Sequence, residues 1–176
     1  TANCLELRGD HAQYFTSPEN TRDVQEQGIR IIWSAPYTPT SNSYVERFHL
    51  TILQSMYAML YQSQAPFNMW AYALRVATTV YNLMPHSAIN YQSPDEYVTG
   101  VCVDFNFLKI FWNVAAVYIP KTTRHKGQPK CVFGRWIGYD FDTRTDIVAI
   151  PKPTSKGWSI RLTAHCRVDP RARPIR

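Results

Sequence analysis

The sequence predicts an α/β fold whose early part mixes strands and helices and whose later part is a small β-barrel. Three observations carry this. Two short apolar runs, around residues 3 to 9 and 29 to 33, flank a polar helical stretch. The apolar spacing then becomes helical from Asn42 to beyond Tyr81. After residue 104 it gives way to β-branched and aromatic runs separated by Gly, Pro and Lys.

Residues 3 to 9 alternate loosely and predict a strand ending just before Asp10. Ser17-Pro18-Glu19 supplies an N-cap, a proline at the first helical position and an acid in the first turn, and Gly28 supplies a stop. The helix between them is polar apart from Val24, so it belongs on the surface. Ile29, Ile31, Ile32 and Trp33 predict a second strand. Two prolines and several Ser and Thr make residues 34 to 41 a loop. From Asn42 to about Gln62, Val45, Phe48, Ile52, Met56 and Met59, with Leu53 and Leu60 beside them, mark a long helix.

Pro66 opens the next helix, with Phe67, Trp70, Leu74, Ala77 and Tyr81 on one face. Ser93-Pro94-Asp95-Glu96 reads as a capping box at the start of a short third helix that Gly100 ends. Four runs, Ile110 to Ile119, Cys131 to Tyr139, Asp146 to Ile150 and Trp158 to Thr163, predict four or five strands of a small barrel. The expected boundaries are 1–62, 63–103, 104–169 and a basic tail at 170–176.

A chain of 176 residues with 45% hydrophobic and 14% aromatic content can bury a real core, which excludes a disordered tail. A net charge of +6 favours an anionic partner such as nucleic acid. Cys4, Cys102, Cys131 and Cys166 are scattered, as free thiols of a reducing, intracellular compartment would be. His165-Cys166 has no second pair at zinc-ligand spacing. No run is long and apolar enough to suggest a membrane partner. The chain opens on Thr1-Ala2-Asn3, without initiator Met or signal peptide, and is expected to be an internal piece of a larger protein.

The chemistry concentrates in two carboxylates, Asp10 after the first strand and Glu46 near the start of the long helix, with 35 residues between them. Asn42 stands four positions before Glu46 and His49 three after it, so the three share one helical face, with Arg47 beside them. Alone, such a stripe is an ordinary solvated helix face. What turns the reading toward a DNA-facing stripe is a family resemblance, carried by the Pro36-Tyr37-Thr38-Pro39 loop, the 35-residue spacing and a match further along the chain.

These residues resemble the second Asp and the Glu of the D,D(35)E core of retroviral and retrotransposon integrases. Within that group the resemblance is to copia-type LTR retrotransposon integrases. Pro36-Tyr37-Thr38-Pro39 with Asn42 and Glu46-Arg47 resembles their "PYTPQQNGxxER" signature. Phe67-x-x-Trp70 with Ala71 and Ala73 resembles the "FWxEA" helix, Tyr81 to Pro85 its "N-R-x-P" end, and Ser93-Pro94-x-Glu96 the "TPxE" cap. Phe133 to Tyr139, with the basic residues before it, resembles the "GxFxGY" stretch of an SH3-like barrel, and the match extends more thinly to about residue 169.

The resemblance implies a partial ribonuclease H-like fold, its later strands and helices only, followed by helices and an SH3-like barrel. It implies that Asp10 and Glu46 are catalytic and hold Mg²⁺ (or Mn²⁺), together with a third carboxylate expected upstream. Carboxylate oxygens with water and substrate phosphate are the donors Mg²⁺ prefers. The intact protein would process DNA 3′ ends and transfer strands into target DNA in the nucleus, as a homo-oligomer. This piece alone is expected to be inactive and, with a strand edge bared, prone to self-association.

Two departures stand out. Where the family reads "DNGxEF", this chain has Asp10-His11-Ala12-Gln13-Tyr14-Phe15, and Ser43 replaces the Gly after Asn42. His11 reads as a surface histidine in place of Asn, the alternative being a metal ligand beside Asp10. Both departures suit the alternative function, a non-catalytic nucleic-acid-binding remnant or domesticated scaffold.

Lys121, Arg124, His125, Lys126 and Lys130 cluster between two predicted strands. They fit either phosphate contact, independent of sequence, or a solvated hairpin tip. Trp136 and Tyr139 are expected in the barrel core.

Overall fold

The computed structural model describes residues 6–9, 17–33, 43–102, 104–153 and 157–169. Asp10, His11 and Asn42, and the loop 34–41, lie outside them. The architecture is mixed, as expected. Strand β1 (Glu6–Gly9) pairs in parallel with β2 (Arg30–Trp33), and helix α1 (Pro18–Glu26) joins them. The Ser17 hydroxyl accepts the Asn20 N–H at 3.4 Å, and Gly28 at φ 74° lets the chain leave the helix in the left-handed region. No residue of α1 is buried.

Helix α2 (Ser43–Ser63) and helix α3 (Trp70–Leu83) pack side by side. The inward face of α2 is Ile52, Met56 and Leu60, with Phe48 and Met59 partly covered. This is the expected face apart from two residues: Val45, in the first turn of α2, is 51% exposed, and Leu53, at the margin of the buried row, is 42% exposed. On α3 the buried residues are Ala73, Val76, Ala77 and Leu83, whereas Phe67 and Trp70 remain exposed. The small Ala73 and Ala77 let the two helices approach, which a face of large side chains would prevent. Helix α4 (Pro94–Thr99) carries the predicted capping box, with Glu96 N–H on the Ser93 hydroxyl at 3.1 Å and Gly100 at φ 69° as its end.

Five strands follow: β3 (Val114–Tyr118), β4 (Cys131–Asp140), β5 (Thr145–Pro151), β6 (Trp158–Thr163) and β7 (Cys166–Val168). They form an antiparallel sheet in the order β6-β5-β4-β3-β7, compatible with a small SH3-like region. The strand expected from Ile110 begins only at Val114, because Trp112 adopts φ 61° and turns the chain. Trp136 is 1% exposed, as expected, and Tyr139 packs partly against the core. Gly134 is required where it stands, since a Cβ there would lie 2.6 Å from the Ala149 carbonyl oxygen. One apolar cluster runs from α2 and α3 into the sheet, where Val76 faces Gly138 and Ile147.

Candidate nucleic-acid and metal-binding residues

Glu46 lies in the first turn of α2 with its side chain exposed, and Arg47 and His49 are exposed after it. A carboxylate there is favoured by the free N–H groups and dipole of the helix end, so its presence is also good local structure. The Thr51 hydroxyl donates back to the Arg47 carbonyl at 2.9 Å, which satisfies the hydroxyl within the helix. His49 lies against the Phe48 ring, with centroids 5.9 Å apart. Strand β1 runs to Gly9, the residue before Asp10, and its pairing with β2 fixes where that strand ends. Among the described residues, no group of three or more His, Cys, Asp or Glu could hold a metal ion.

The structure collects the basic residues of the second site into one turn between β3 and β4. Lys121 opens a 3₁₀ turn at Lys121–Thr123, and Gly127 at φ 93° allows a reversal closed by Gln128 N–H on the His125 carbonyl at 3.1 Å. Ile119 N–H donates to the Lys130 carbonyl at 3.0 Å and ties the two ends of the turn together. Lys121, Lys126 and Lys130 are exposed and Arg124 is half-buried. Among the described residues, Arg124 Nη1 is screened from solvent and finds no hydrogen-bond partner, a costly state for a guanidinium nitrogen.

One polar cluster had no sequence signal. Lys109 Nζ meets both Asp146 oxygens, at 2.5 and 2.6 Å, and Trp136 Nε1 donates to Asp146 Oδ1 at 2.8 Å. Asp146 is 6% exposed, so the pair is a buried anchor between the segment before β3 and the sheet. Nearby, burial first and the Asp146 charge second push the Cys166 thiol up to about 11, against the opposing pull of Lys109. Only the contact across 37 positions brings these groups together, and no local pattern announces it.

The chain is 30% identical over 133 residues to the retrovirus-related Pol polyprotein from transposon TNT 1-94 of Nicotiana tabacum, a match covering 76% of this chain. Two Arabidopsis thaliana counterparts, from transposons RE2 and RE1, are 27% and 26% identical over 86% and 85% of it. Its homologues are retrovirus-related Pol polyproteins of plant transposons. The resemblance to copia-type integrases read from the motifs is thereby borne out. The chain spans about a tenth of the length of these Pol polyproteins.

Among solved structures, an intasome of simian T-cell lymphotropic virus in complex with the PP2A regulatory subunit B56 gamma aligns over 93% of this chain and 57% of its own. Its TM-score is 0.47 at 16% identity. The catalytic core domain of BIV integrase aligns over 53% of this chain and 58% of its own, with TM-score 0.40 and 27% identity. No family model matches the chain. Among the described residues, no helix of this Pol-related chain is long and apolar enough to cross a membrane.

Proposed function

We propose that this chain is part of a retrotransposon integrase whose intact form carries out metal-dependent 3′-end processing and strand transfer of element DNA into target DNA. The observation that carries this is Glu46, an exposed carboxylate in the first turn of α2, separated by 35 residues from Asp10, which follows β1 in the sequence. Residues 1–62 would be the later half of a ribonuclease H-like core, 63–103 a helical connector, 104–169 an SH3-like barrel and 170–176 a basic tail. Asp10 and Glu46, with a further carboxylate of the intact protein, would hold Mg²⁺ or Mn²⁺, for which such oxygens are suitable donors. When bound, the ions would supply Lewis-acid chemistry at the attacking and leaving oxygens. Asn42, Arg47 and His49 would border the DNA end. The parent would act in the nucleus as a homo-oligomer.

The test uses the intact protein. Asp10→Asn and Glu46→Gln should each abolish strand transfer while DNA binding stays within about twofold, because binding rests on sequence-independent phosphate contacts elsewhere. Retained joining activity in either variant sinks the catalytic assignment.

A second reading, a non-catalytic nucleic-acid-binding remnant or scaffold, is favoured by His11 and Ser43 and by the exposed turn at 121–130. If Lys121, Arg124, Lys126 and Lys130 each neutralise a phosphate, log K should fall against log salt with a slope of about −3.6. Replacing Lys126 and Lys130 by Ala should halve that slope. An unchanged slope would remove the turn from the interface.

A further inference from the structure

The sheet has a face that neither the carboxylate pair nor the turn at 121–130 uses. In the β3–β4 register Tyr118 pairs with Cys131, Ala116 with Phe133 and Val114 with Arg135, and in the β3–β7 register Ala116 pairs with Arg167. Side chains alternate along a strand, so Tyr118, Ala116, Phe133, Arg135 and Arg167 share one face. The opposite face holds Ala115, Val117, Gly134 and Trp136, all buried, so it is the interior. On the outer face Phe133 is 63% exposed and Tyr118 43% exposed.

Two exposed aromatic rings on adjacent strands cost solvation and contribute little to the core, so their position calls for a partner. Its chemistry is constrained by charge. Arg167 and His165 are exposed at the β7 side, with the His165 ring edge-on to Tyr118 at 6.4 Å. No Asp or Glu occurs from Val114 to Arg135 or from Gly157 to Val168. Asp169 follows only at the far end of β7. The basic turn joins β3 to β4 at the Tyr118–Cys131 end of the same face. An anionic partner with flat apolar groups fits this arrangement.

Spacing separates single from double strands. Tyr118 and Phe133 are diagonal neighbours, about 7–8 Å apart. Bases stacked in a duplex lie about 3.4 Å apart and hide their faces from a protein. Bases of a single strand can splay and stack on separate rings. Between Phe133 and Arg167, Ala116 leaves a low methyl floor on which a planar group can lie.

We propose that the outer face of β7-β3-β4 is a stacking platform for single-stranded nucleic acid. Neighbouring bases lie on Tyr118 and Phe133, and the backbone runs past Arg167 toward the turn at 121–130. The platform rests on the nucleic-acid reading of that turn for part of its phosphate contact, but its base contacts are separate.

The experiment is fluorescence anisotropy of the 176-residue chain with a labelled twelve-nucleotide oligothymidylate and, at the same salt, a labelled twelve-base-pair duplex. Phe133→Ala and Tyr118→Ala should each weaken oligothymidylate binding about 10-fold, within the range expected for one lost stacked base, and shift duplex binding less than about twofold. Phe133→Trp should preserve single-strand binding, and Phe133→Leu should lose it like Ala. Both positions are solvent-facing, and circular dichroism of each variant should match the wild type. Unchanged oligothymidylate affinity in Phe133→Ala overturns the platform, as does equal binding by Phe133→Leu and wild type. A wild type that binds the duplex but not the single strand overturns the platform and leaves the turn standing. If Lys126→Ala and Lys130→Ala leave both affinities unchanged while Phe133→Ala keeps its effect, the turn reading fails and the platform stands.

Discussion

Residues 6–33 and residues 43–169 are built from comparable sequence but reach different degrees of closure. The first region has β-branched and aromatic strand residues, a capped helix and a parallel strand pair, yet none of its described residues is buried. Leu7 is 40% exposed, and Ile31, Ile32 and Trp33 are only half-covered. The second region closes one apolar cluster through two helices and five strands, with Ala73, Ala115, Val148 and Ala149 fully buried. Parallel strands normally have both faces covered, and a two-stranded pair has marginal stability by itself. Good local signals produce strands and helices in both regions, but among the described residues only the second shows a buried partner surface.

Three changes would break or sharpen this contrast. The largest effect should come from Trp136→Ala, which empties the centre of the sheet and removes the indole N–H from Asp146. A loss of about 3–5 kcal/mol is expected, measured as the urea midpoint of the chain followed by circular dichroism. A smaller effect should follow Ile31→Ala in β2, about 1 kcal/mol in the same transition, because that side chain is only partly covered. An equal loss from both substitutions would mean that the two regions unfold as one body and would dissolve the distinction.

The smallest effect concerns Cys166, half-covered beside the Lys109–Asp146 anchor. Its thiol is raised in the fold from the ordinary 9.0 to about 11, so between those values the folded chain holds a proton that the unfolded chain has released. Its contribution to stability is therefore full below about pH 9 and is lost as pH rises toward about 11. At pH 8, iodoacetamide should label exposed Cys102 before Cys166, read by peptide mass spectrometry. Labelling in the reverse order would remove the burial argument.

Local patterns went far. Ser17-Pro18 and Gly28 bounded α1, Ser93 and Glu96 formed the expected capping box, and the change from helical to β-type runs after residue 104 located the sheet. These depend on contacts within a few positions, which the chain encodes directly. Helix faces were harder. Both α2 and α3 carry apolar residues well round their circumference, so their period marks a helix without saying which side is covered. The motif residues of the candidate site were visible as patterns, but the exposure of Glu46, Arg47 and His49 was not, since Tyr44 and Val45 in the same turn are exposed too.

By itself the sequence determined the element types, their caps, the positive charge and the motif set that resembles copia-type integrases. Tertiary structure alone decided that β7 returns to pair with β3, that Lys109 meets Asp146 across the sheet, and that Phe133 and Tyr118 stand together on an outer face. The physical reason is range. Caps and periods are set by neighbours along the chain, whereas strand order and the choice of buried face depend on which distant surfaces exclude water together.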